Sequence, residues 1–215
     1  MKTEQLGPYT LSWSQGVFPL GGDTLALGDF ASVRPGQRVC DLGTGSGALL
    51  LLLARRAKGL SLTGVELDPL SARTARENLE ANRLSGEIVT GDLRVVPLNA
   101  GSFDLVVANP PYFPVGGGRS GGQARSEEHC SLDELCAAAG RLAKNGGRFA
   151  LCHRPERLAD VICALRAHSL EPKRLKLISH DSEHPPSLLL IEAIRQGNPG
   201  LKIETEPSPG RHSFS

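Results

Sequence analysis

Gln37-Arg38-Val39-Cys40-Asp41-Leu42-Gly43-Thr44-Gly45-Ser46-Gly47-Ala48-Leu49-Leu50-Leu51-Leu52-Leu53 is the stretch on which the fold turns. Gln37 to Asp41 reads as a short strand that ends at Gly43. A helix from about Ser46 to Lys58 follows, and its unbroken leucine run, Leu49 to Leu53, suits a helix buried on most sides. The glycines between them let the backbone turn sharply and approach a ligand closely. A strand entering a helix through such a loop is a unit of an open α/β sheet. Sheets of that kind bind their ligands beyond the carboxyl ends of the strands.

Working outward, the units repeat. Leu62 to Leu67 reads as a second strand, and Asp68-Pro69 as the N-cap and first turn of a helix running to about Leu84. Glu87 to Thr90 is a short third strand, and Phe103 to Ala108 a fourth that ends at Asn109. Val115 to Arg125 is glycine-rich and reads as a flexible loop. Ser131 and Glu134 have capping-box spacing. The helix they open places Leu132, Leu135, Cys136 and Ala139 on one face, and Gly146-Gly147 is its expected stop. Arg148 to His153 is a fifth strand, and Leu158, Val161, Ile162 and Leu165 stripe the helix after Pro155. Lys173 to His180 and Ser187 to Ile194 are two late strands; the six residues between them are too few for a parallel crossover, so they pair antiparallel. The expected fold is α/β: a doubly wound, mostly parallel sheet of seven strands with one antiparallel strand and helices on both faces. A single domain is expected over residues 1–215, with 1–20 an amino-terminal segment and 198–215 a tail ordered only in part.

Composition narrows the class. The chain's 215 residues suffice for one α/β domain with a buried core and are short for two. A formal net charge of +1 gives no global attraction to nucleic acid, so any such site is a local patch. Cys40, Cys130, Cys136, Cys152 and Cys163 form an odd set without CxxC spacing, which reads as reduced cytosolic thiols and neither a disulfide frame nor a zinc site. The beginning of the chain has no apolar segment of signal-peptide length. The longest apolar run, Ala48 to Ala54, is far short of the roughly 20 residues that span a bilayer. A cytoplasmic, soluble protein with no metal and no membrane contact is expected.

The strand ends carry the chemistry. Asp41, Gly43, Thr44, Gly45 and Gly47 form the first loop. Glu66, followed by Leu67, ends the second strand, where a carboxylate can accept from both hydroxyls of a ribose. Asp92, followed by Leu93, ends the third and can accept from an adenine amino group. Gly43-x-Gly45-x-x-Ala48 with Glu66 about 20 residues on also fits a dinucleotide site. Asp41 ahead of the loop, Asp92, and the residues after the fourth strand favour S-adenosylmethionine.

Those residues are Asn109-Pro110-Pro111-Tyr112. An amino nitrogen on a π-system delocalises its lone pair. If the Asn109 side-chain oxygen and the Pro110 carbonyl accept its two hydrogens, the nitrogen is aimed and its lone pair is held on nitrogen. Two prolines stiffen that backbone, and Tyr112 offers a face on which a flipped-out base can stack.

With these residues in view, the chain from about Gln15 to Gly200 resembles the bacterial tRNA1(Val) adenine-37 N6-methyltransferases, a family of class I (Rossmann-like) S-adenosylmethionine-dependent methyltransferases. The matching stretches are Leu20 to Leu27, the Asp41–Gly47 loop, Asn109 to Phe113, Ala124 to His129, Arg154 to Leu158 and Glu171 to Leu175. The resemblance implies that Asp41, Gly43, Glu66 and Asp92 hold the cofactor, that Asn109 to Tyr112 hold the target base, and that Asp23 lies near the cofactor's methionine end. Asp23 also suits the N-cap of a helix over Leu25 to Phe30. The 115–124 loop carries more glycine than the family leads one to expect, and a final aromatic strand is missing from the tail.

RNA, tRNA above all, is the implied partner. Phe113, Arg119 and Arg125 flank the target site; Arg154 and Arg157 follow the fifth strand; Lys173, Arg174 and Lys176 open the sixth. Together they are expected to form a basic rim for phosphates, with a solvated charged face as the plainer reading. The alternatives are a glutamine methyltransferase acting on a translation factor, whose relatives carry a helical domain ahead of the sheet, and a catalytically silent RNA-binding module.

Overall fold

The computed structural model describes residues 2–14, 16–17, 20–110, 130–179 and 183–204. The elements are β1 (Lys2–Leu6), β2 (Tyr9–Trp13), α1 (Gly22–Phe30), β3 (Arg38–Leu42), α2 (Ala48–Arg56), β4 (Ser61–Glu66), α3 (Pro69–Ala81) and β5 (Gly86–Thr90). They continue as β6 (Phe103–Ala108), α4 (Leu132–Leu142), β7 (Ala143–His153), α5 (Leu158–Ala167), β8 (Leu170–Ile178), β9 (Leu188–Arg195) and β10 (Lys202–Glu204).

Among the described residues the main sheet has eight strands, not seven, in the order β10-β8-β9-β7-β6-β3-β4-β5. β9 alone is antiparallel to both neighbours, β7 and β8. The additional strand is β10, which pairs in parallel with β8 at the edge. The amino-terminal segment contains an antiparallel pair, β1 and β2, outside the main sheet.

Helices cover both faces. On one, β1, β2, α1, α2 and α3 close a core that includes Leu11, Leu27, Ala75, Leu105 and Val107. The α2 leucines explain themselves there, since Leu50 to Leu53 are 0 % exposed. Helices α1 and α2 approach so closely that a Cβ on Gly28 would lie 2.9 Å from Leu52 Cδ1. On the other face α4 and α5 cover Val106, Phe149, Leu151 and Ile191.

The capping box at Ser131 and Glu134 forms as expected. The helix it opens ends earlier than expected, at Leu142 and not at Gly146. Its last carbonyls are taken from outside: Gly101 N–H donates to Arg141 O at 2.8 Å and Ser102 N–H to Leu142 O at 3.0 Å. Gly146-Gly147 serve a bulge instead. Phe103 pairs with Ala143, but Leu105 pairs with Arg148, so the chain must loop out between them. Gly146 takes φ 74° in that loop, and a Cβ on Gly147 would lie 2.8 Å from Lys144 O.

Candidate cofactor and target-base site

Strands β3, β4, β5, β6 and β7 are mutually parallel, so their carboxyl ends share one edge of the sheet. At that edge Gly43, Gly45 and Gly47 adopt φ of 78°, 56° and 81°, the left-handed region that glycine enters freely. Gly43 and Thr44 N–H donate to Val65 O at 2.8 and 3.0 Å, which pins the loop to β4. A Cβ on Gly43 or Gly45 would meet nothing within 4 Å, so the loop faces open space that side chains there would fill.

Glu66 anchors this loop. One carboxylate oxygen accepts from Gly45 N–H at 2.8 Å and the other from Asp68 N–H at 2.9 Å. Each oxygen retains a second lone pair for a hydroxyl. Asp68 caps α3, its side chain accepting from Ser71 N–H at 2.8 Å. Asp41 is 2 % exposed and accepts from the Thr44 hydroxyl at 2.7 Å. Burial raises its pKa to about 7; the Thr44 hydroxyl opposes the rise, and the nearby Glu66 charge adds to it. Leu67 is 47 % exposed beside Glu66, whereas Leu93 is half-buried against the α4–α5 core.

Asp92 has a partner that sequence reading missed. Arg94 Nε lies 2.9 Å from both of its carboxylate oxygens, and Arg94 Nη2 also bonds to it. Arg94 Nη1 reaches Glu134 at 3.1 Å, which ties the end of β5 to the capping box of α4.

Asn109 leaves β6 with its carboxamide clamped. Its Nδ2 donates to the Thr24 hydroxyl at 2.8 Å, and its Oδ1 accepts from the Cys152 thiol at 2.9 Å. Thr24 lies in the first turn of α1, so α1 delivers Asp23 and Thr24 to this edge. Asp23 does not cap that helix: Gly21 holds the cap position and no side chain bonds there. Pro110 is buried beside Asn109. Pro111, Tyr112, Phe113, Arg119, Arg125 and His129, with the glycine-rich loop, lie outside the described residues.

The structure divides the basic residues. Arg154 and Arg157 follow β7 directly, at the edge that carries Asn109; Arg157 pairs with Asp160 at 2.6 Å. Lys173 and Arg174 do not join them. Lys173 Nζ donates to Asn198 O at 2.9 Å. Arg174 is consumed by the fold: its guanidinium sits 4.5 Å from the Phe30 ring centroid and bonds Glu204 and Ser32 at 2.7 Å each. It also lies 3.5 Å from Glu192, a wholly buried carboxylate that Arg148 and the Ser32 amide each meet at 2.7 Å. Spacing alone gave no sign of this network, because Glu192 and Ser32 are far apart in the chain.

This strand order, with its one reversed strand and a glycine loop leaving β3, is that of the class I S-adenosylmethionine-dependent methyltransferases. The crystal structure of a predicted O-methyltransferase from Agrobacterium tumefaciens shares it, with a TM-score of 0.69 at 22% identity, covering 90% of this chain and 91% of that one. Crystalline TrmN from Thermus thermophilus matches with a TM-score of 0.61 and 25% identity over 80% of this chain and 48% of that one. Residues 15–159 match the methyltransferase small domain family. The tRNA1(Val) (adenine(37)-N6)-methyltransferase of Porphyromonas gingivalis is 33% identical over 186 residues, 80% of this chain and 73% of that protein. The chain belongs to that family of methyltransferases, and S-adenosylmethionine is its methyl donor. The residues present suit that donor: the open face of the glycine loop, the spare lone pairs of Glu66 and the exposed Leu67 provide space, hydroxyl acceptors and an apolar surface at one edge.

Proposed function

We propose that the chain methylates N6 of an adenine in tRNA, at position 37 of tRNA1(Val) as in the relative named above, and does so in the cytoplasm. The observation that carries this reading is the clamped Asn109, one strand from the glycine loop and followed by Pro110. The cofactor, when bound, supplies an electrophilic methyl group on a sulfonium. The remaining work falls to the chain. Asn109 Oδ1 spends one lone pair on the Cys152 thiol and offers the other to the target amino group. The Pro110 carbonyl takes the second amino hydrogen. Both acceptors stabilise the positive charge that develops on nitrogen and hold its lone pair toward the methyl group. Tyr112 offers a face on which the base can stack, and Phe113 is assigned to the RNA. Asp23, Asp41, Gly43 to Gly47, Glu66, Leu67, Asp92 and Leu93 form the cofactor's bed. Arg154 and Arg157 receive phosphates.

The test is methyl transfer from labelled S-adenosylmethionine to unmodified bacterial tRNA, followed by nucleoside analysis. N6-methyladenosine is expected. Labelled methylglutamine in a translation factor, with unlabelled tRNA, would overturn the reading.

A further inference from the structure

The outer edge of β2 is not bare. In an antiparallel pair alternate residues turn their N–H and C=O away from the partner strand, and on β2 these are Thr10 and Ser12. Thr10 N–H donates to Asn82 Oδ1 at 2.8 Å, and Asn82 Nδ2 donates to Thr10 O at 2.8 Å. Ser12 N–H donates to Asn78 Oδ1 at 2.9 Å, and Asn78 Nδ2 donates to Ser12 O at 2.8 Å. Two carboxamides, one in the last turn of α3 and one at its C-cap, thus take the place of a third strand. The periods allow it: four residues of helix rise about 6.0 Å and two residues of strand about 6.8 Å.

The two asparagines differ in their remaining bond. Asn82 Nδ2 also donates to Asn78 O at 2.7 Å, close to its own helix. Asn78 Nδ2 also donates to Ser46 O at 2.8 Å, in the glycine loop, and Asn78 is only 2 % exposed. Ser46 sits between Gly45, whose N–H is held by Glu66, and Gly47, where a Cβ would lie 3.3 Å from Ala75 Cβ on the same helix α3. One buried side chain therefore holds the strand pair and the cofactor loop together.

We propose that Asn78 is a positioning residue of the cofactor site, and that through it the amino-terminal strand pair is part of that site. The proposal rests on assigning the Asp41–Gly47 loop to the cofactor. Asn78→Asp keeps the shape and the acceptor for Ser12 N–H but sets an oxygen against two carbonyls. Asn82→Asp makes the same change one turn on, with no bond to the loop.

In calorimetric titration with S-adenosylhomocysteine, Asn78→Asp is expected to raise Kd about tenfold, within the usual range of coupling between sites. The KM for S-adenosylmethionine should rise likewise, with kcat nearly kept, while Asn82→Asp shifts either by less than about threefold. Equal shifts in the two variants, or none in Asn78→Asp, would overturn the proposal. Should Asn78→Asp fail to fold, the unaltered protein decides. Coupling is reciprocal, so saturating S-adenosylhomocysteine must slow amide exchange at Ser12 about tenfold; unchanged exchange there would sink the idea. Glu66→Ala in the same titration separates the two layers. If it leaves Kd unmoved, the assignment of the loop fails; if it raises Kd and Asn78→Asp does not, only the role of Asn78 fails.

Discussion

Asn109 can aim an amino group only while its own amide stays put, and Thr24 and Cys152 hold its two ends. Asn109→Ala is expected to lower kcat by about a hundredfold, the usual cost of losing one aimed group, with the Kd for S-adenosylhomocysteine nearly unchanged. A parallel loss of cofactor affinity would contradict the role given to it. Thr24→Val should lower kcat by about tenfold, and Thr24→Ser should restore it; failure of serine to rescue would assign Thr24 to packing. Asp41 adds a pH dependence. Its carboxyl, raised to about 7 by burial, favours folding when protonated, so its contribution to stability is present in acid and is lost as pH rises through about 7. Cofactor binding runs the other way. A cationic donor held in the bed proposed above, which includes Asp41, would favour the carboxylate, so affinity should weaken toward a tenfold loss per pH unit below about 7. Titration of the unaltered protein against Asp41→Asn across that range checks this, and the variant's curve should be flatter.

At the scale of elements, the network around Glu192 joins α1, β7, β8, β9 and β10. Removing its carboxylate leaves Arg148 and Arg174 without their shared buried counter-charge. Glu192→Ala should cost about 1–3 kcal/mol, read as a lowered midpoint in urea with the slope unchanged. Elements were also where sequence reading succeeded and failed for definable reasons. Strands bounded by glycine and carrying apolar runs, such as Phe103 to Ala108, were legible, as was the capping box at Ser131. The early end of α4 was not, because the residues that cap it, Gly101 and Ser102, come from a distant loop. The strand pair β1–β2 was missed because its outer edge is satisfied by side chains from the end of α3 and its C-cap, distant in sequence. The glycine loop, Glu66, Asp92 and Asn109 could be placed from strand ends alone. Thr24, Cys152 and Asn78 could not, since each reaches the site from another element, and Arg94, two residues after Asp92, belongs to no motif.

Across the whole molecule, a net charge of +1 gives tRNA no global attraction, so the binding proposed above depends on a local patch. Arg154→Ala and Arg157→Ala should each weaken tRNA binding and reduce the slope of log K against log salt by about one, whereas Lys173→Ala should leave the slope alone. Equal effects at all three would return Lys173 to the RNA surface.

The reversed strand β9 has a consequence for how the chain is made. β7 gains its second neighbour only from residues 188–195, and β8 reaches the sheet only through that same strand. A nascent chain that has emerged as far as β8 therefore presents β7 as a bare apolar edge, with Leu151 and Cys152 awaiting partners. Such edges template wrong pairings. The cofactor half of the sheet can assemble during translation, but closure waits until residues 188–195 have emerged. Messages cut short before β9 would yield chains fated for aggregation or proteolysis, not weakened enzyme.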